Sequence, residues 1–473
     1  MTSSLVRVRS SRVIFLLVAV LASTTAIRLV LSWEFFGFST GDDVEILQAG
    51  FSRAFGLASS PWELRHLLLP DLLVAPVLRL VSAMGAESTS IKVWAASVPF
   101  VVLATLNIFL VFRIGVRWLG DERPALLAAY LYGFHWIPLG YGSTVYPRTA
   151  TTFCVLLAVV LISTDSAGWW RPALAGGMLA LAFAFRFSEV IYFLPCLVLV
   201  VITQGQESSR WIRAAALGVG LVVVAALVVG VEDWLTWGRP YASIENFFRY
   251  TIVDKNASAL VPNQPWFWYF WRLPKWLPLT LLPFFFVPQD RDRGFLLRPL
   301  LFIVLPLAVL SVIHHKELRY LQGVAPFFCL AGAGSAWEWW QDGRRRVTVL
   351  LLALSMLLGI TGLTFLSKTS MAAVIAARDL AANPNIQKVA LSQSWAYGSN
   401  LFLDDVQILG LGVSPTLEEL KRVAPGRQAI ALYQDVVEGS PELAVWLLAN
   451  GFSDSETYRY SRSRPVIVYR SGE

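Results

Sequence analysis

Eleven runs of mostly apolar residues limit what this chain can fold into. A helix needs ~20 such residues to cross the hydrocarbon core of a bilayer, and in lipid only a helix can hydrogen bond its own backbone within one segment. Several runs are shorter, which fits tilted or buried helices. We therefore predict an all-α polytopic membrane protein with about eleven transmembrane helices. The predicted spans are Val13–Ser32, Val93–Phe112, Ala125–Tyr141, Thr149–Ser163, Ala173–Phe185, Val190–Thr203, Ile212–Val231, Trp276–Val287, Leu300–Ile313, Leu321–Trp337 and Val347–Leu366.

Composition agrees with a membrane protein. Charged residues make up 15% of the 473 residues, against about 25% in soluble globular proteins. Many basic residues flank apolar runs, so the net charge of +7 does not indicate a nucleic-acid partner. The three cysteines lie inside apolar runs, which predicts neither a disulfide framework nor a metal site. The sequence also lacks a glycine-rich phosphate loop.

Basic residues predict the orientation. Arg7, Arg9 and Arg12 precede the first span and favour a cytoplasmic N-terminus. Alternation from there also leaves the other short basic loops in the cytoplasm. A cleaved signal peptide is the alternative for the first span, and in both cases the chain after Ser32 lies outside. We predict a transmembrane catalytic domain over 1–368, with outer loops at 33–90 and 232–275.

Hydropathy falls after Lys368, and residues 369–473 predict a small C-terminal α/β domain outside the membrane. Its helices are expected to begin near Thr416 and at Ser440, the second ending at Gly451. The predicted strands are Lys388–Leu391, Ala429–Tyr433 and Pro465–Tyr469.

Two acidic residues open the first outer loop. Asp42 and Asp43 are adjacent, and neighbouring carboxylates raise each other's proton affinity, which suits a general base. Acids are also common in the first turn of a helix, and the spacing alone favours a solvated helix start. Further on, Trp62, Glu63 and Arg65 form an amphipathic stretch that fits either a site or an interfacial helix.

Cations also collect on the predicted outer side. Arg148 and Arg186 lie at the outer ends of spans, against the positive-inside trend, and so favour an anionic ligand over simple anchoring. The turn containing His315, Lys316 and Arg319 would suit a phosphate leaving group, although a charged interhelical turn has the same composition.

The second outer loop combines polar and aromatic residues. Aromatic side chains at a membrane border form an interfacial belt in many proteins, but they also stack on sugar rings or line a groove for a lipid chain. Composition does not separate these uses. The candidate residues for sugar or acceptor binding here are Asp233, Asn246, Gln264, Trp266 and Trp268.

Together these motifs resemble glycosyltransferase family 22, the membrane mannosyltransferases of the GT-C superfamily. The similarity runs in order from about Trp33 to Pro326. Gln264 stands where the family often has histidine, and Phe187 replaces a proline. The matching motifs are Asp42-Asp43, Trp62-Glu63 with Arg65 and Pro70, Arg186-Phe187-Ser188, Asp233 to Gly238 with Asn246-Phe247, Gln264-Pro265-Trp266-Phe267-Trp268-Tyr269, and His315-Lys316-Glu317-Leu318-Arg319-Tyr320.

The resemblance implies an inverting transfer of mannose from polyprenyl-phosphate-mannose to a lipid-linked or extracytoplasmic glycan. It implies that Asp42 or Asp43 acts on the acceptor hydroxyl. The residues that would hold the donor phosphate are Arg65, Arg186, His315, Lys316 and Arg319, and those near the acceptor or sugar are Trp62, Glu63, Asp233, Asn246, Gln264, Trp266 and Trp268. The expected partners are membrane lipids, this donor and the glycan acceptor. It defines no further cofactor, and metal dependence stays open.

Three alternatives stay open at this stage: a GT-C transferase of another sugar, a lipid or glycan transporter, and a non-catalytic subunit of a glycan assembly complex. Transporters often contain paired repeats with broken helices at equivalent positions, which this sequence does not display. For the compartment, we favour a bacterial plasma membrane with a periplasmic site over an ER membrane with a lumenal site.

Overall fold

A computed structural model describes the chain at residues 10–35, 40–56, 67–163, 168–202, 207–249, 253, 263–276, 294–363, 371–392, 399–403, 407–460 and 463–472. Helices predominate in the first 363 residues. They are α1 Ser11–Glu34, α2 Gly41–Phe55, α3 Ala75–Ala83, α4 Thr89–Leu119, α5 Glu122–Gly133, α6 Trp136–Tyr141, α7 Pro147–Ile162, α8 Trp170–Phe185, α9 Phe193–Ile202, α10 Glu207–Trp237, α11 Ala242–Phe248, α12 Trp268–Trp276, α13 Gly294–Val312, α14 Ala325–Gln341 and α15 Arg345–Leu363.

Most predicted spans coincide with these helices. Within the described residues, three helices are both long and apolar enough to cross a membrane: Ser11–Glu34, Thr89–Leu119 and Ser209–Trp237. Four shorter apolar helices accompany them, at Pro147–Ile162, Trp170–Phe185, Phe187–Ile202 and Leu296–Val312. The predicted span Trp276–Val287 falls almost wholly outside the described residues, so the count of eleven stays a prediction.

One predicted span is interrupted. The run Ala125–Tyr141 forms α5 and α6 because the chain turns at His135. The Nδ1 atom of His135 accepts a hydrogen bond from the backbone N–H of Ile137 at 3.1 Å and so caps α6. A side chain that supplies a cap lets a helix restart in the middle of an apolar run. Hydropathy alone could not locate this break.

Arg117 and Arg123 mark one end of the helical bundle. Arg117 donates to the carbonyl of Val160 at 2.7 Å, and Arg123 lies 5.9 Å from the ring of Trp337. These contacts join the end of α4 and the start of α5 to the C-terminal ends of α7 and α14. The N-terminal ends of α7 and α14 therefore lie at the opposite end of the bundle, about 24 Å away for a helix of 16 residues.

A five-stranded sheet follows the helices, in the order β2-β1-β3-β5-β4. Strand β1 pairs in parallel with β2 and β3, whereas β5 pairs antiparallel with β3 and β4. The strands are β1 Lys388–Ser392, β2 Gln407–Leu411, β3 Ala429–Tyr433, β4 Asp454–Tyr458 and β5 Val466–Arg470, and the helices are α16 Met371–Ala382, α17 Ser399–Phe402, α18 Leu417–Val423, α19 Gln434–Gly439 and α20 Pro441–Ala449.

The expected α/β elements of the C-terminal region are present. All three predicted strands overlap β1, β3 and β5, and Thr416 caps α18 by accepting from the backbone N–H of Glu419 at 3.2 Å. The sequence prediction omitted β2 and β4, and β4 is exposed at all but its last residue and so lacks an apolar pattern. The hydroxyl of Tyr460 lies 3.3 Å from Glu34 at the end of α1. The boundary at residue 368 stays a prediction.

Candidate functional site

The acidic pair begins α2, and its two carboxylates have different surroundings. Asp43 completes a capping box with Thr40: its Oδ2 accepts from the Thr40 backbone N–H at 3.2 Å, and its Oδ1 accepts from the Thr40 hydroxyl at 2.9 Å. Asp42 instead faces two arginines from later in the chain. The capping box fixes the first turn of the helix and thereby fixes the direction of Asp42.

Three segments far apart in sequence meet at Asp42. Its Oδ2 lies 2.9 Å from Nη1 of Arg186, at the C-terminal end of α8, and 3.9 Å from Nη1 of Arg319. The side chains of Asp42 and Arg186 are only 10% and 17% exposed. The structure therefore brings together three of the predicted site residues, from the first loop, the Arg186 turn and the His315–Arg319 turn.

Glu317 organises the last of these turns. Its carboxylate contacts Nε2 of His315 at 3.0 Å and is paired with the guanidinium of Arg319. Burial by itself raises the pKa of the Glu317 carboxyl, but Arg319 and the hydrogen bond from His315 outweigh burial, and the net pKa lies below its ordinary value. Glu317 therefore stays ionised and aligns Arg319 towards Asp42.

The ring of Tyr320 lies beneath three guanidinium groups. Their central carbons are 4.8 Å from the ring centroid for Arg148, 5.7 Å for Arg186 and 5.8 Å for Arg319. The face of an aromatic ring attracts cations, and the ring occupies the space between them. Three like charges are thus gathered around one side chain.

Arg148 is paired with a carboxylate of its own. Its Nη1 lies 2.7 Å from Oε1 of Glu189, and the two side chains are 2% and 1% exposed. The same nitrogen donates to the backbone carbonyl of Tyr320 at 3.2 Å. The anionic ligand that the sequence suggested for Arg148 is therefore, in this structure, the carboxylate of Glu189.

Lys316 and Gln264 connect the second outer loop to the same turn. The ammonium group of Lys316 donates to the backbone carbonyls of Ile313 and Gln264, the latter at 3.2 Å. The backbone N–H of Gln264 donates in return to the carbonyl of His314 at 3.0 Å. Burial lowers the pKa of Lys316. Lys316 thus ties two backbone segments together, and a direct role in phosphate binding stays a prediction.

The structure gives the remaining predicted residues of the second loop separate surroundings. Asp233 is buried and accepts hydrogen bonds from the backbone N–H and the hydroxyl of Ser243 at 2.9 and 2.6 Å. Asn246 is half-buried on α11. Trp266 is 67% exposed, whereas Trp268 is half-buried and packs edge-on against Tyr269.

Three predicted site residues, Trp62, Glu63 and Arg65, lie outside the described residues. Within the described part of the chain, no group of three or more His, Cys, Asp or Glu side chains could hold a metal ion. The described cluster combines the carboxylates of Asp42, Glu189 and Glu317 with three guanidinium groups. Asp42 lies beside two of these cations, and a carboxylate next to cations can accept a proton while the cations stabilise an anion.

Sequence reasoning missed the residues that support this cluster. Thr40 and Glu189 were not singled out, and Glu317 and Tyr320 were identified only as part of a motif. A partial signal existed for two of them. Thr40 stands three residues before Asp43, which is capping-box spacing, and Glu189 follows Arg186 by three residues.

A family model described as the Alg9-like mannosyltransferase family matches residues 54–392. The chain belongs to the Alg9-like mannosyltransferase family. The resemblance to glycosyltransferase family 22 is thereby confirmed. The match to the Alg9-like family begins just after the acidic pair and includes Arg186 and the His315–Arg319 turn.

Curated relatives support this membership. GPI mannosyltransferase 3 of Drosophila melanogaster is 25% identical over 66% of this chain and 55% of its own length. GPI alpha-1,2-mannosyltransferase 3 of Bos taurus is 23% identical over 67% and 58%. The chain therefore spans little more than half the length of these relatives. Because they come from animals, they do not support the expected bacterial plasma membrane.

Solved structures share the fold. The crystal structure of ArnT from Cupriavidus metallidurans bound to undecaprenyl phosphate matches with a TM-score of 0.63 and 12% identity, over 95% of this chain and 97% of that one. The oligosaccharyltransferase of Archaeoglobus fulgidus matches with a TM-score of 0.51 and 11% identity, over 93% and 73%. The mostly helical, membrane-embedded fold thus resembles that of the GT-C glycosyltransferases.

Proposed function

We propose that this protein transfers mannose, with inversion, from polyprenyl-phosphate-mannose to a lipid-linked or extracytoplasmic glycan. Membership of the Alg9-like family supports mannose as the sugar. The likeness of the fold to a structure that binds undecaprenyl phosphate supports a polyprenyl-phosphate carrier. Neither a transporter nor a transferase of another sugar is favoured by these similarities.

One observation carries the proposal: Asp42 lies 2.9 Å from Arg186 and 3.9 Å from Arg319. A glycosyl transfer from a lipid phosphate needs a base for the acceptor hydroxyl and cations for the departing phosphate. Here the carboxylate of Asp42 lies within ion-pair distance of two guanidinium groups. Asp42 is the better candidate for the base because Asp43 has both oxygens on Thr40.

In the proposed reaction the acceptor hydroxyl oxygen attacks the anomeric carbon from the face opposite the phosphate. The bond between the anomeric carbon and the phosphate oxygen breaks, and the hydroxyl proton passes to Asp42. The electron pair of the broken bond leaves with the polyprenyl phosphate. Arg186 and Arg319 stabilise the charge that grows on this phosphate in the transition state.

Asp42 is engaged by the same arginines that would hold the phosphate. A carboxylate paired with guanidinium groups is a weak base, because the cations favour its ionised form. The donor phosphate competes with Asp42 for Arg186 and Arg319 when it binds. Binding of the donor therefore releases the carboxylate towards the acceptor, and we propose that the donor binds before the acceptor.

The other predicted site residues keep their proposed roles. Arg65, His315 and Lys316 complete the cationic surface around the phosphate, Lys316 by holding the turn in place. The proposed contacts to acceptor and sugar are Trp62, Glu63, Asp233, Asn246, Gln264, Trp266 and Trp268. The site is proposed to face the non-cytoplasmic side of its membrane, as does the α/β domain over 369–473.

The function is tested with the purified full chain in lipid nanodiscs. Radiolabelled mannose is supplied as polyprenyl-phosphate-mannose, together with lipid-linked glycans extracted from membranes. We expect labelled glycan product from this donor, little from polyprenyl-phosphate-glucose and none from GDP-mannose. Product formation from GDP-mannose alone, or equal use of both lipid-linked sugars, would contradict the proposal.

A further inference from the structure

We propose that Arg148 and Glu189 are positioning residues that set the spacing between Arg186 and Arg319. This inference rests on the proposed function, since it assigns the pair a part in the same reaction. Neither side chain contacts Asp42 in an observed ion pair. Their contacts run instead to the backbone and ring of the two segments that carry the site arginines.

Glu189 belongs to the Arg186 segment. It lies in the short 3₁₀ helix Phe187–Tyr192 that follows Arg186, and its backbone N–H donates to the Arg186 carbonyl at 2.9 Å. Its side chain also accepts from the hydroxyl of Ser188 at 3.2 Å. Any shift of the Glu189 carboxylate is therefore transmitted directly to the peptide unit of Arg186.

Arg148 connects that carboxylate to the Arg319 segment. Its guanidinium is 2.7 Å from Glu189 and 3.2 Å from the Tyr320 carbonyl, and it lies 4.8 Å from the Tyr320 ring. Tyr320 follows Arg319 directly, and its N–H donates to the Glu317 carbonyl at 3.1 Å. One buried guanidinium thus touches both halves of the phosphate site.

Stability alone does not account for such a pair. Removing two charges from water costs about as much as their attraction returns, and buried ion pairs replaced by apolar residues of similar size often leave stability unchanged. Losing only one partner is costly because the other charge is left buried. A fully buried pair is therefore better explained by the geometry that it imposes.

That geometry matters because both arginines must reach one phosphate. A displacement of about 1 Å at a reacting group lowers rates about 100-fold in well-positioned sites. The Arg148–Glu189 pair and the shared Tyr320 ring fix the distance between the two guanidinium groups before the donor binds. We therefore expect the pair to affect kcat more than the KM for the donor.

The test is the double variant Arg148→Met/Glu189→Leu in the full chain, compared with the wild type in nanodiscs. We expect a Tm close to that of the wild type and a kcat about 10- to 100-fold lower, with a smaller change in donor KM. The matched control is Arg464→Met/Asp435→Leu, which removes an ion pair of the α/β domain and is expected to leave kcat unchanged.

Two results would overturn the inference. One is a folded double variant with the kcat of the wild type. If the double variant does not fold, Arg148→Lys decides instead, since lysine keeps the charge opposite Glu189 but loses the planar guanidinium that lies 4.8 Å from the centre of the Tyr320 ring. A wild-type kcat in folded Arg148→Lys would also overturn it, and a reduced kcat would support it. Inactive wild-type protein would instead count against the proposed function.

Discussion

Thr40 determines what each of the two neighbouring aspartates can do. As the N-cap residue of α2 it binds the carboxylate of Asp43 through both its N–H and its hydroxyl. The first turn of the helix, fixed in this way, directs Asp42 towards Arg186. The cap thus gives two chemically identical side chains different surroundings: Asp43 binds Thr40, whereas Asp42 faces the arginines.

Replacement of Thr40 tests this separation. Thr40→Ala removes the N-cap and should cost about 1 kcal/mol of stability; because Asp42 loses its fixed direction, kcat should fall several-fold as well. Asp121→Ala removes the N-cap of α5, where Asp121 accepts from the N–H of Arg123 at 2.8 Å, and serves as the control. Thermal unfolding and transfer assays are compared. Equal kcat in both variants would contradict a role of Thr40 in directing Asp42.

The ion pair of Glu317 with Arg319 makes the stability of the folded protein depend on pH. Its pKa in the folded protein lies below the ordinary value because Arg319 and His315 outweigh burial. The carboxylate therefore adds stability above its unfolded pKa, about 4.3, and this stability is lost as the pH falls through the lower folded pKa.

We accordingly expect Glu317→Gln to unfold at a lower Tm than the wild type at neutral pH. The difference should stay constant from about pH 8 to about pH 5 and shrink once the pH falls below about 4.3. There the carboxyl group of the unfolded chain takes up a proton, while that of the folded protein stays ionised until its own lower pKa is reached. Thermal unfolding of both proteins across this range measures it. A difference that grows on acidification would contradict the assigned ion pair.

At the scale of elements, glycines let α8 and α10 approach closely. A Cβ atom on Gly220 would overlap the backbone carbonyl of Ala173, and one on Gly176 would overlap that of Leu217. Small residues at such crossings allow membrane helices to pack backbone to backbone. Because Arg186 directly follows α8, the packing of α8 on α10 also fixes the position of Arg186 along the bundle.

Gly220→Ala should therefore destabilise the protein by about 1–3 kcal/mol through overpacking. Gly218→Ala, in the same helix, places its Cβ where nothing lies within 4 Å and should leave Tm unchanged or slightly higher. Thermal unfolding in one detergent compares the two. A Gly220→Ala protein as stable as Gly218→Ala would show that the helices are not in backbone contact.

The sequence predicts elements whose periodicity and burial are uniform. The long apolar run of α4 and the uniformly buried apolar strand β3 are of this kind, and both lie where expected. The break at His135 and the strand β4 depend on a single side-chain cap and on pairing to β5, neither of which hydropathy contains. The first is a local side-chain contact, and the second is a pairing between two strands.

The candidate site was predictable to a similar extent. Charged motifs identified Asp42, Arg186 and Arg319, because charged side chains near lipid are costly and therefore indicate functional positions. Thr40 binds Asp43, and this leaves Asp42 to face the arginines. The ion pair of Arg148 and Glu189 joins residues 41 positions apart in the sequence. Such pairings are fixed by packing and not by local pattern.

For the whole molecule, a site outside the cytoplasm requires that the site residues and the cytoplasmic basic loops lie at opposite ends of the helical bundle. Aspartate and arginines of the site lie at one end of the bundle, and the basic loops around Arg117 and Arg344 lie at the other. From the positive-inside rule we therefore expect the site to lie away from the cytoplasm.

Cysteine labelling tests this orientation. The natural cysteines are buried, so Met84→Cys and Gln341→Cys report on opposite ends of the bundle; Met84 is 77% exposed. In intact cells a membrane-impermeant maleimide should label Met84→Cys at once and Gln341→Cys only after the membrane is opened. The reverse pattern would place the site in the cytoplasm.

The central claim is that Asp42 is the base of a mannosyl transfer whose leaving phosphate is held by Arg186 and Arg319. The most direct measurement is single-turnover transfer from radiolabelled polyprenyl-phosphate-mannose by wild type, Asp42→Asn and Asp43→Asn in nanodiscs. The account predicts a rate about 10²- to 10⁴-fold lower for Asp42→Asn, with donor still bound, and a rate within a few-fold of wild type for Asp43→Asn. A wild-type rate in Asp42→Asn would contradict it.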